Sequence, residues 1–377
     1  MIPKYDQYSV PTANQMVNLC VGKPNSSYLP IDWFQYVCSK MSNEITEDEF
    51  LQYAAVDGYP IIKEKMAKWL TESYGCPVKS DELFMTNGIS GTLHLIITKY
   101  LKAGDTILVE NPTYFMSINI FKDYGLNVID INDIIDDIDN IDQEFLFFYT
   151  VPTYHNPTGK TLSNEQRINL AKLCQKHKNL YIISDEVYHF LSWEDLKSQS
   201  IYPLAHYHPK IISLGSFSKI LGPSLRVGWI YSKDFFVKDL LSYNVLQSSG
   251  GINPIGFKFI EYALENIENI RYNIIDKLYN VCNAMVNSLA PYKEKGIIDF
   301  YVPKGGYFMW IKFNKDNFDT EDFLKHCEQY RVKFHQGIKF YIKGSIKSYI
   351  RISFSYYNEQ DIQIGIDRLM QAYLSYL

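Results

Sequence analysis

The sequence predicts an α/β protein: a large domain built on a mostly parallel sheet covered by helices, joined to a smaller α+β domain. Three observations carry this. Between residues 80 and 232 short apolar runs alternate with helical patterns, the order that a parallel sheet with crossover helices produces. Those runs are apolar at successive positions, as strands buried on both faces require. After residue 253 the alternation gives way to a long helical stretch and then to mixed strands and helices.

Taken in chain order, the turn "TNGIS" leads into a helix, "GTLHLIITKYL". "TILVE" and "EFLFFYTV" are strands, followed by the amphipathic helix "SNEQRINLAKLCQKH" and the strands "LYIIS", "KIISLG" and "RVGWIYS". Between the first two strands, the acidic run "DINDIIDDIDNID", residues 130 to 142, reads as a solvated loop. The stretch from "IGFKFIEYALENIENI" onward has apolar residues at three- and four-residue spacing and is long enough to bridge two domains. Beyond it "GIIDFYVPKGGYFMWIKF" and "SYIRISFSY" read as strands, "TEDFLKHCEQY" and "NEQDIQIGIDRLMQAYLSYL" as helices. The expected division is an N-terminal arm with part of the small domain (1-45), the large domain (46-265) and the C-terminal small domain (266-377).

Composition narrows the class. With 377 residues, 46% of them hydrophobic, the chain has room for full cores. A net charge of −5 with no long basic tract argues against nucleic acid and against an anionic membrane surface. The start "MIPKYDQYSVPTANQM" has no apolar signal core, and no run is long enough to span a bilayer. Six scattered cysteines (Cys20, Cys38, Cys76, Cys174, Cys282, Cys327) form no C-x-x-C pair, so reduced thiols are expected, with no disulfide framework and no metal site. His206 and His208 in "AHYHP" lack a nearby third ligand. A cytoplasmic enzyme fits.

In open α/β sheets ligands collect beyond the carboxyl ends of the strands. Here "EFLFFYTV" is followed by "PTYHNPTG", "LYIIS" by "DEVYHF", and "KIISLG" by "SFSKILGPSLR". Taken singly, these residues have ordinary explanations: an Asp that caps, an Asn that turns before Pro, a surface lysine. Their joint occurrence at consecutive strand ends is what points to a site. "SFSK" is formally an S-x-x-K motif, but the S-D-N and K-T-G partners of acyl-serine enzymes are missing.

The whole pattern, from "VGKPNSSYLP" to "YIRISFSY", resembles the pyridoxal 5'-phosphate (PLP) enzymes of fold type I, the class I/II aminotransferases, in the flavour of their kynurenine/2-aminoadipate branch. The resemblance implies a seven-stranded type of sheet in a PLP-binding large domain. It makes Lys219 the amine that condenses with the cofactor aldehyde and later moves the α-proton. Ser216, Ser218 and Arg226 would hold the phosphate, with Ile89 and Ser90 contributing from the helix N-terminus after "TNG". Ile89 stands where relatives often carry a polar side chain, which leaves that contact to the main chain or to Ser90. Asp185 would pair with the pyridine nitrogen, Tyr188 and Asn156 would donate to the ring oxygen, and Tyr114 would stack on the ring as a third catalytic residue. Gly22, Asn156 and Arg351 would meet the substrate, Arg351 by a fork on the α-carboxylate, with Lys23 and Asn25 as further contacts. Tyr53 in "LQYAAVDGYP" resembles a tyrosine that reaches the phosphate of a neighbouring subunit, which implies a homodimer with shared sites.

Two further expectations concern the reaction. The tandem Gly250 and Gly251 would leave space near the cofactor. The same cradle also serves elimination and cyclisation enzymes acting on arginine-derived amino acids of the capreomycidine or enduracididine type, for which His155 would be the extra acid or base. Aminotransfer from an L-amino acid to a 2-oxo acid is the first reading, and that cyclisation the alternative. Regulators with an aminotransferase-like domain carry a DNA reader in front of it, which this acidic sequence does not display.

Overall fold

The computed structural model describes residues 10–44, 52–233, 235–344 and 346–376. Its strands are β1 (Val17–Asn18), β2 (Leu83–Thr86), β3 (Thr106–Val109), β4 (Asn127–Asp130), β5 (Leu146–Thr150), β6 (Leu180–Asp185), β7 (Ile211–Ser216), β8 (Gly228–Tyr231), β9 (Ile298–Phe300), β10 (Phe308–Phe313), β11 (Val332–Lys333), β12 (His335–Gln336) and β13 (Tyr349–Ser353). Seven of them form one sheet in the order β2-β8-β7-β6-β5-β3-β4. Strands β3 to β7 are parallel, while β8 runs antiparallel to both β2 and β7. Every residue of β5 and of β7 is buried, the two-sided covering that their unbroken apolar runs demand.

Local chemistry fixes the covering helices. Asn164–Lys176 opens on a capping box, in which Ser163 Oγ accepts from Gln166 N and Gln166 Oε1 accepts from Ser163 N. The helix Ile89–Tyr100 begins at Gly88, whose φ of 93° lies in the left-handed region that a side chain resists. The 28-residue helix Ile267–Glu294 buries Ile267, Ile270, Ile274, Leu278, Val281, Met285 and Leu289, one apolar stripe along about 42 Å of helix.

The second sheet is antiparallel, in the order β12-β13-β10-β9, and packs with the helices Thr320–Cys327 and Glu359–Tyr376. The N-terminal strand β1 pairs in parallel with β11, so residues near the start of the chain join the part formed near its end. Of the expected division points, 45/46 lies outside the described residues, and 265/266 falls within the short 3-10 turn Leu264–Asn266 that separates the helices Pro254–Ala263 and Ile267–Glu294.

The acidic run 130 to 142 is more structured than its charge predicts. Asp130 ends β4, is buried and caps the short helix Ile131–Ile134 by accepting from Asn132 N at 3.0 Å. Ile131 and Ile138 enter the core, and Asp139 Oδ1 lies 2.7 Å from His177 Nδ1. The isoleucines between the acids anchor what the carboxylates alone would leave in water.

Candidate functional site

Parallel neighbours β5, β6 and β7 end at one edge of the large sheet, and three polar segments leave from there. Asn156 follows β5, Asp185 is the last residue of β6, and Ser216 is the last of β7. Ser216 Oγ accepts from Ser218 N at 3.2 Å, sits 2.9 Å from Ser218 Oγ and donates to Val227 O at 3.2 Å. That cap starts the 3-10 turn Phe217–Lys219, which turns the lysine inward.

Arg226 is exposed, with a left-handed backbone (φ 50°), and its Nη2 lies 3.3 Å from where a Cβ on Gly88 would stand. A Cβ on Gly228 would come within 2.8 Å of Gly88 Cα and 2.6 Å of Gly215 O, so the turn before the helix, β7 and β8 touch backbone to backbone. Ile89 is half-buried and Ser90 exposed at the start of that helix, where the first-turn N–H groups have no intrahelical acceptor. The guanidinium, the two serine hydroxyls and the helix N-terminus form a set of donors with a positive charge, which fits the phosphate of PLP.

Below this cup, Asp185 is buried, accepting from Tyr149 OH at 2.8 Å and from Val187 N at 3.3 Å. Burial pushes its carboxyl up to about 6, against the pull of the Tyr149 hydroxyl, the Val187 N–H and the Lys219 charge. Lys219 Nζ donates to Gly22 O at 2.9 Å and sits 5.2 and 5.9 Å from the ring centres of Tyr307 and Tyr188. Burial pushes this amine down to about 8, the Asp185 charge opposing and Arg351 assisting. A lysine so tuned offers a neutral, nucleophilic amine near physiological pH. Tyr188, whose hydroxyl burial drives strongly upward, and Tyr114, which starts the helix Phe115–Asp123, line the same cavity.

Arg351, on β13, is buried: Nη1 donates to Asn156 Oδ1 at 3.0 Å, and Nη2 to Cys20 O at 2.7 Å. The guanidinium lies 4.0 Å from the centre of the Phe308 ring, and its Nε is buried without a partner. No carboxylate is bonded to it, which makes it a ready anion receptor among the described residues. Lys219, Tyr114, Asn156, Tyr188, Gly22, Lys23 and Arg351 thus meet around one cavity of about 590 Å³. The cavity also takes in Phe308, Lys333, His335 and Lys339, none of which sequence reasoning singled out. Tyr149, the partner of Asp185, was likewise read only as part of an apolar strand.

Other expected residues lie elsewhere. Asn25 is not a lining residue; its Nδ2 donates to Tyr356 O, and its Oδ1 caps the turn Ser26–Tyr28. Tyr53 is 82% exposed and outside this cavity. The tandem glycines do not open space there: Gly250 and Gly251 have φ of 62° and 95°, and a Cβ on Gly250 would collide with the Tyr53 side chain at 2.4 Å. They form a left-handed turn that seats the Tyr53 segment, with Ala54 N bonded to Gly250 O at 2.7 Å. His155 is buried beneath the site, with Nδ1 2.8 Å from Thr158 Oγ1 and Nε2 3.3 Å from Glu110 Oε1, and is not on the cavity wall. The acid or base that the cyclisation alternative needs is therefore not supplied by it.

Comparison with known proteins agrees with this geometry. The profile of the family "Aminotransferase class I and II" matches residues 14–369. An aromatic-amino-acid aminotransferase of Thermococcus litoralis is 26% identical over 381 residues, covering 95% of this chain and 88% of the relative. A transcriptional regulator of Staphylococcus aureus, the HTH-type NorG, is 28% identical over 347 residues, covering 87% of this chain and 75% of the regulator. Among solved structures, Pyrococcus horikoshii kynurenine aminotransferase, in complex with PMP and with KYN and KYA as substrates and products, superposes with a TM-score of 0.86 at 25% identity, covering 96% of this chain and 92% of the other.

Proposed function

This chain belongs to the class I and II aminotransferase family, and from that premise we propose that Lys219, Asp185 and Tyr114 carry the chemistry while Arg351 and Asn156 hold the substrate. It is a PLP-dependent aminotransferase that takes the amino group of an amino acid and passes it to a 2-oxo acid. The observation that supports the residue roles best is the shared anchoring of two cations. Lys219 bonds to Gly22 O and Arg351 to Cys20 O, so the amine and the guanidinium are fixed to one short segment across a single cavity.

The roles follow from the chemistry of each group. When bound, the cofactor supplies an aldehyde for the amino group and a ring that stores the electron pair released as the α-carbon loses its proton. Arg351 orients the α-carboxylate through its fork, and Asn156 fixes the guanidinium plane. Lys219 Nζ, held near neutrality, accepts the α-proton and returns it. Asp185 keeps a negative charge where the ring nitrogen must hold a proton, and Tyr149 orients that carboxylate. Arg226, Ser216, Ser218 and the main chain at Ile89 and Ser90 secure the phosphate.

The functional unit in this reading is a homodimer in which Tyr53 serves the partner's phosphate site. Its support is a set of exposed apolar side chains on three helices that pack on one another: Ile31, Phe34 and Tyr36 on Ile31–Glu44, Ile61 on Pro60–Tyr74 and Ile255 on Pro254–Ala263. The setting is read as cytoplasmic, since Cys76, Cys174, Cys282 and Cys327 are buried thiols and Cys20 and Cys38 are also unpaired. Among the described residues no helix is long and apolar enough to cross a membrane.

The test is a half-reaction. An aminotransferase must convert its yellow cofactor to pyridoxamine phosphate with an amino acid alone, and 2-oxoglutarate must restore the colour. Repeated turnover of one substrate without a keto acid, and with no pyridoxamine phosphate formed, would refute this reading.

A further inference from the structure

A second cavity, of about 850 Å³, is larger than the catalytic one and shares no lining residue with it. One wall is the segment that leaves β6, between His189 and Lys197. The other is the outward face of the helix Ile267–Glu294, with Arg271, Tyr272, Ile275, Asp276 and Tyr279. Amino transfer uses neither wall, yet the first carries straight on from Asp185 and Tyr188: His189 N donates to Glu186 O at 3.0 Å, and Leu191 N to Tyr188 O at 2.9 Å.

Each of these two cavities has on its wall one buried side chain with an orphaned polar atom: Arg351 in the catalytic cavity, His189 here. His189 is 4% exposed, and neither of its ring nitrogens forms a hydrogen bond among the described residues. Burial, with Arg167 and Arg271, pushes the imidazole down to about 3, so the ring is neutral. Its Nδ1 stands 3.9 Å from Glu186 Oε2, which is also buried without a partner. Glu186 Oε1 accepts three bonds of 2.7 Å, from Ser184 Oγ, Ser213 Oγ and Leu204 N, a set of donors that favours the carboxylate form. That carboxylate draws the ring proton to Nδ1 and leaves Nε2 as an acceptor, so a ligand that meets Nε2 must donate. The charges of the cavity are sorted in the same sense. Both cations are tied off: Arg271 Nε donates to Glu268 Oε2 at 3.0 Å, and Lys197 Nζ to Glu72 O at 3.1 Å. Asp276 enters no ion pair among the described residues, and its seat sets it apart from other surface carboxylates. Tyr272 stands one turn before it and Tyr279 one turn after, 70% and 44% exposed, with the Trp193 ring centre 5.8 Å from that of Tyr279. Aromatic faces around an unpaired carboxylate select a cation over an anion.

We propose that this cavity is a second ligand site, which takes a small organic cation with N–H donors on an aromatic body: a donor on His189 Nε2, the charge beside Asp276, and the ring among Trp193, Tyr272 and Tyr279. The site is independent of the roles assigned to the catalytic cavity. Its occupant rests against the segment that carries Asp185 and Tyr188.

The test is calorimetry on the PLP-loaded protein with 2-phenylethylguanidine, a cation that carries N–H donors and, unlike an amine, does not condense with the cofactor aldehyde. Two analogues separate its features. The neutral isostere 2-phenylethylurea keeps the donors and loses the charge, while 2-phenylethyltrimethylammonium keeps the charge and loses the donors; each should bind about tenfold more weakly. His189→Phe should weaken the guanidine about tenfold and erase its advantage over the trimethylammonium. Tyr272→Ala/Tyr279→Ala should cost about tenfold and Asp276→Asn about threefold. Arg351→Ala should bind the guanidine as the wild type does, which puts the ligand outside the catalytic cavity. If His189→Phe fails to fold, the substitutions on the exposed helix face decide alone, and guanidine binding that neither of them changes overturns the proposal. So do the absence of saturable binding at millimolar concentration, a urea that binds as tightly as the guanidine, and binding that is lost in Arg351→Ala.

Discussion

Asn156 Oδ1 accepts from Arg351 Nη1 at 3.0 Å, across two sheets and 195 residues of sequence. The contact ties the loop after β5 to strand β13, so the group that grips substrate is oriented by the loop that flanks the cofactor. Replacing Arg351 by Ala should lower kcat/KM for amino acids by roughly 2–4 kcal/mol, the cost of a lost charged fork in a closed site. Arg351→Lys should recover part of the affinity but little of kcat, because an ammonium cannot keep both bonds. Steady-state kinetics of the two variants check this, and unchanged constants would remove Arg351 from the site.

Lys219 is the amine that captures the cofactor. Borohydride reduction of the holoenzyme, followed by peptide mapping, should find the pyridoxyl group on Lys219 and nowhere else. The neutral amine is the reactive form, and burial lowers its pKa from 10.5 to about 8. The rate at which cofactor-free enzyme takes up PLP should therefore rise with pH and level off just above 8. A rate still climbing toward 10 would show that the amine is not desolvated as described.

Asp185→Asn should retain PLP through the phosphate cup while losing activity on the order of 100-fold or more, since an amide carries no charge to hold the ring proton. The same variant has a stability signature. The folded pKa of about 6 stands above the ordinary 3.8, so the folded state binds more protons between these values, and the carboxylate's contribution to stability declines as pH rises through that window. Cofactor-free Asp185→Asn should thus gain on the wild type in thermal unfolding from pH 4 to 6 and hold a constant lead above it. A lead that shrinks over that range would contradict the buried-carboxylate assignment.

Tyr53 gives a test of shared sites. If it serves the partner, mixed dimers of Tyr53→Ala and Lys219→Ala chains regain one intact site, because the Lys219→Ala chain supplies Tyr53 to the chain that keeps Lys219. Activity well above either parent, and tight PLP binding at about half the sites, is expected after co-expression. If Tyr53 acts within its own chain, mixing recovers nothing.

The parts of the site that were legible in the sequence are those that chain chemistry keeps together. Ser216, Ser218, Lys219 and Arg226 occupy one loop, and the strand-end positions of Asp185 and Asn156 follow from the parallel sheet. Arg351 was reached through family resemblance alone. Lys333, His335 and Lys339 sit in "RVKFHQGIKF", whose spaced cations look like any solvated surface until the register of β12 on β13 sets His335 opposite Arg351. Tyr149 hides among the aromatics of β5 because its hydroxyl partner, Asp185, is contributed by the next strand. The glycine pair at 250 and 251 was misread as vacancy because sequence shows a missing side chain but not the sign of φ.

The parallel pairing of β1 with β11 has a consequence for how the protein is made. Cys20 and Gly22 leave the ribosome early, yet the guanidinium that bonds to Cys20 O arrives 331 residues later. At the usual pace of translation that is a wait of roughly 20–60 s. In the later part of that interval, from the completion of β8 until β11 is made, the large sheet has all its strands while the N-terminal segment has no strand to join, leaving its edge open to chaperones and to other nascent chains. A stop codon between β8 and β13 would release a polypeptide with a nearly complete cofactor cradle and without the Arg351 guanidinium to grip an amino acid, so premature termination there yields a cofactor sink rather than a weakened enzyme.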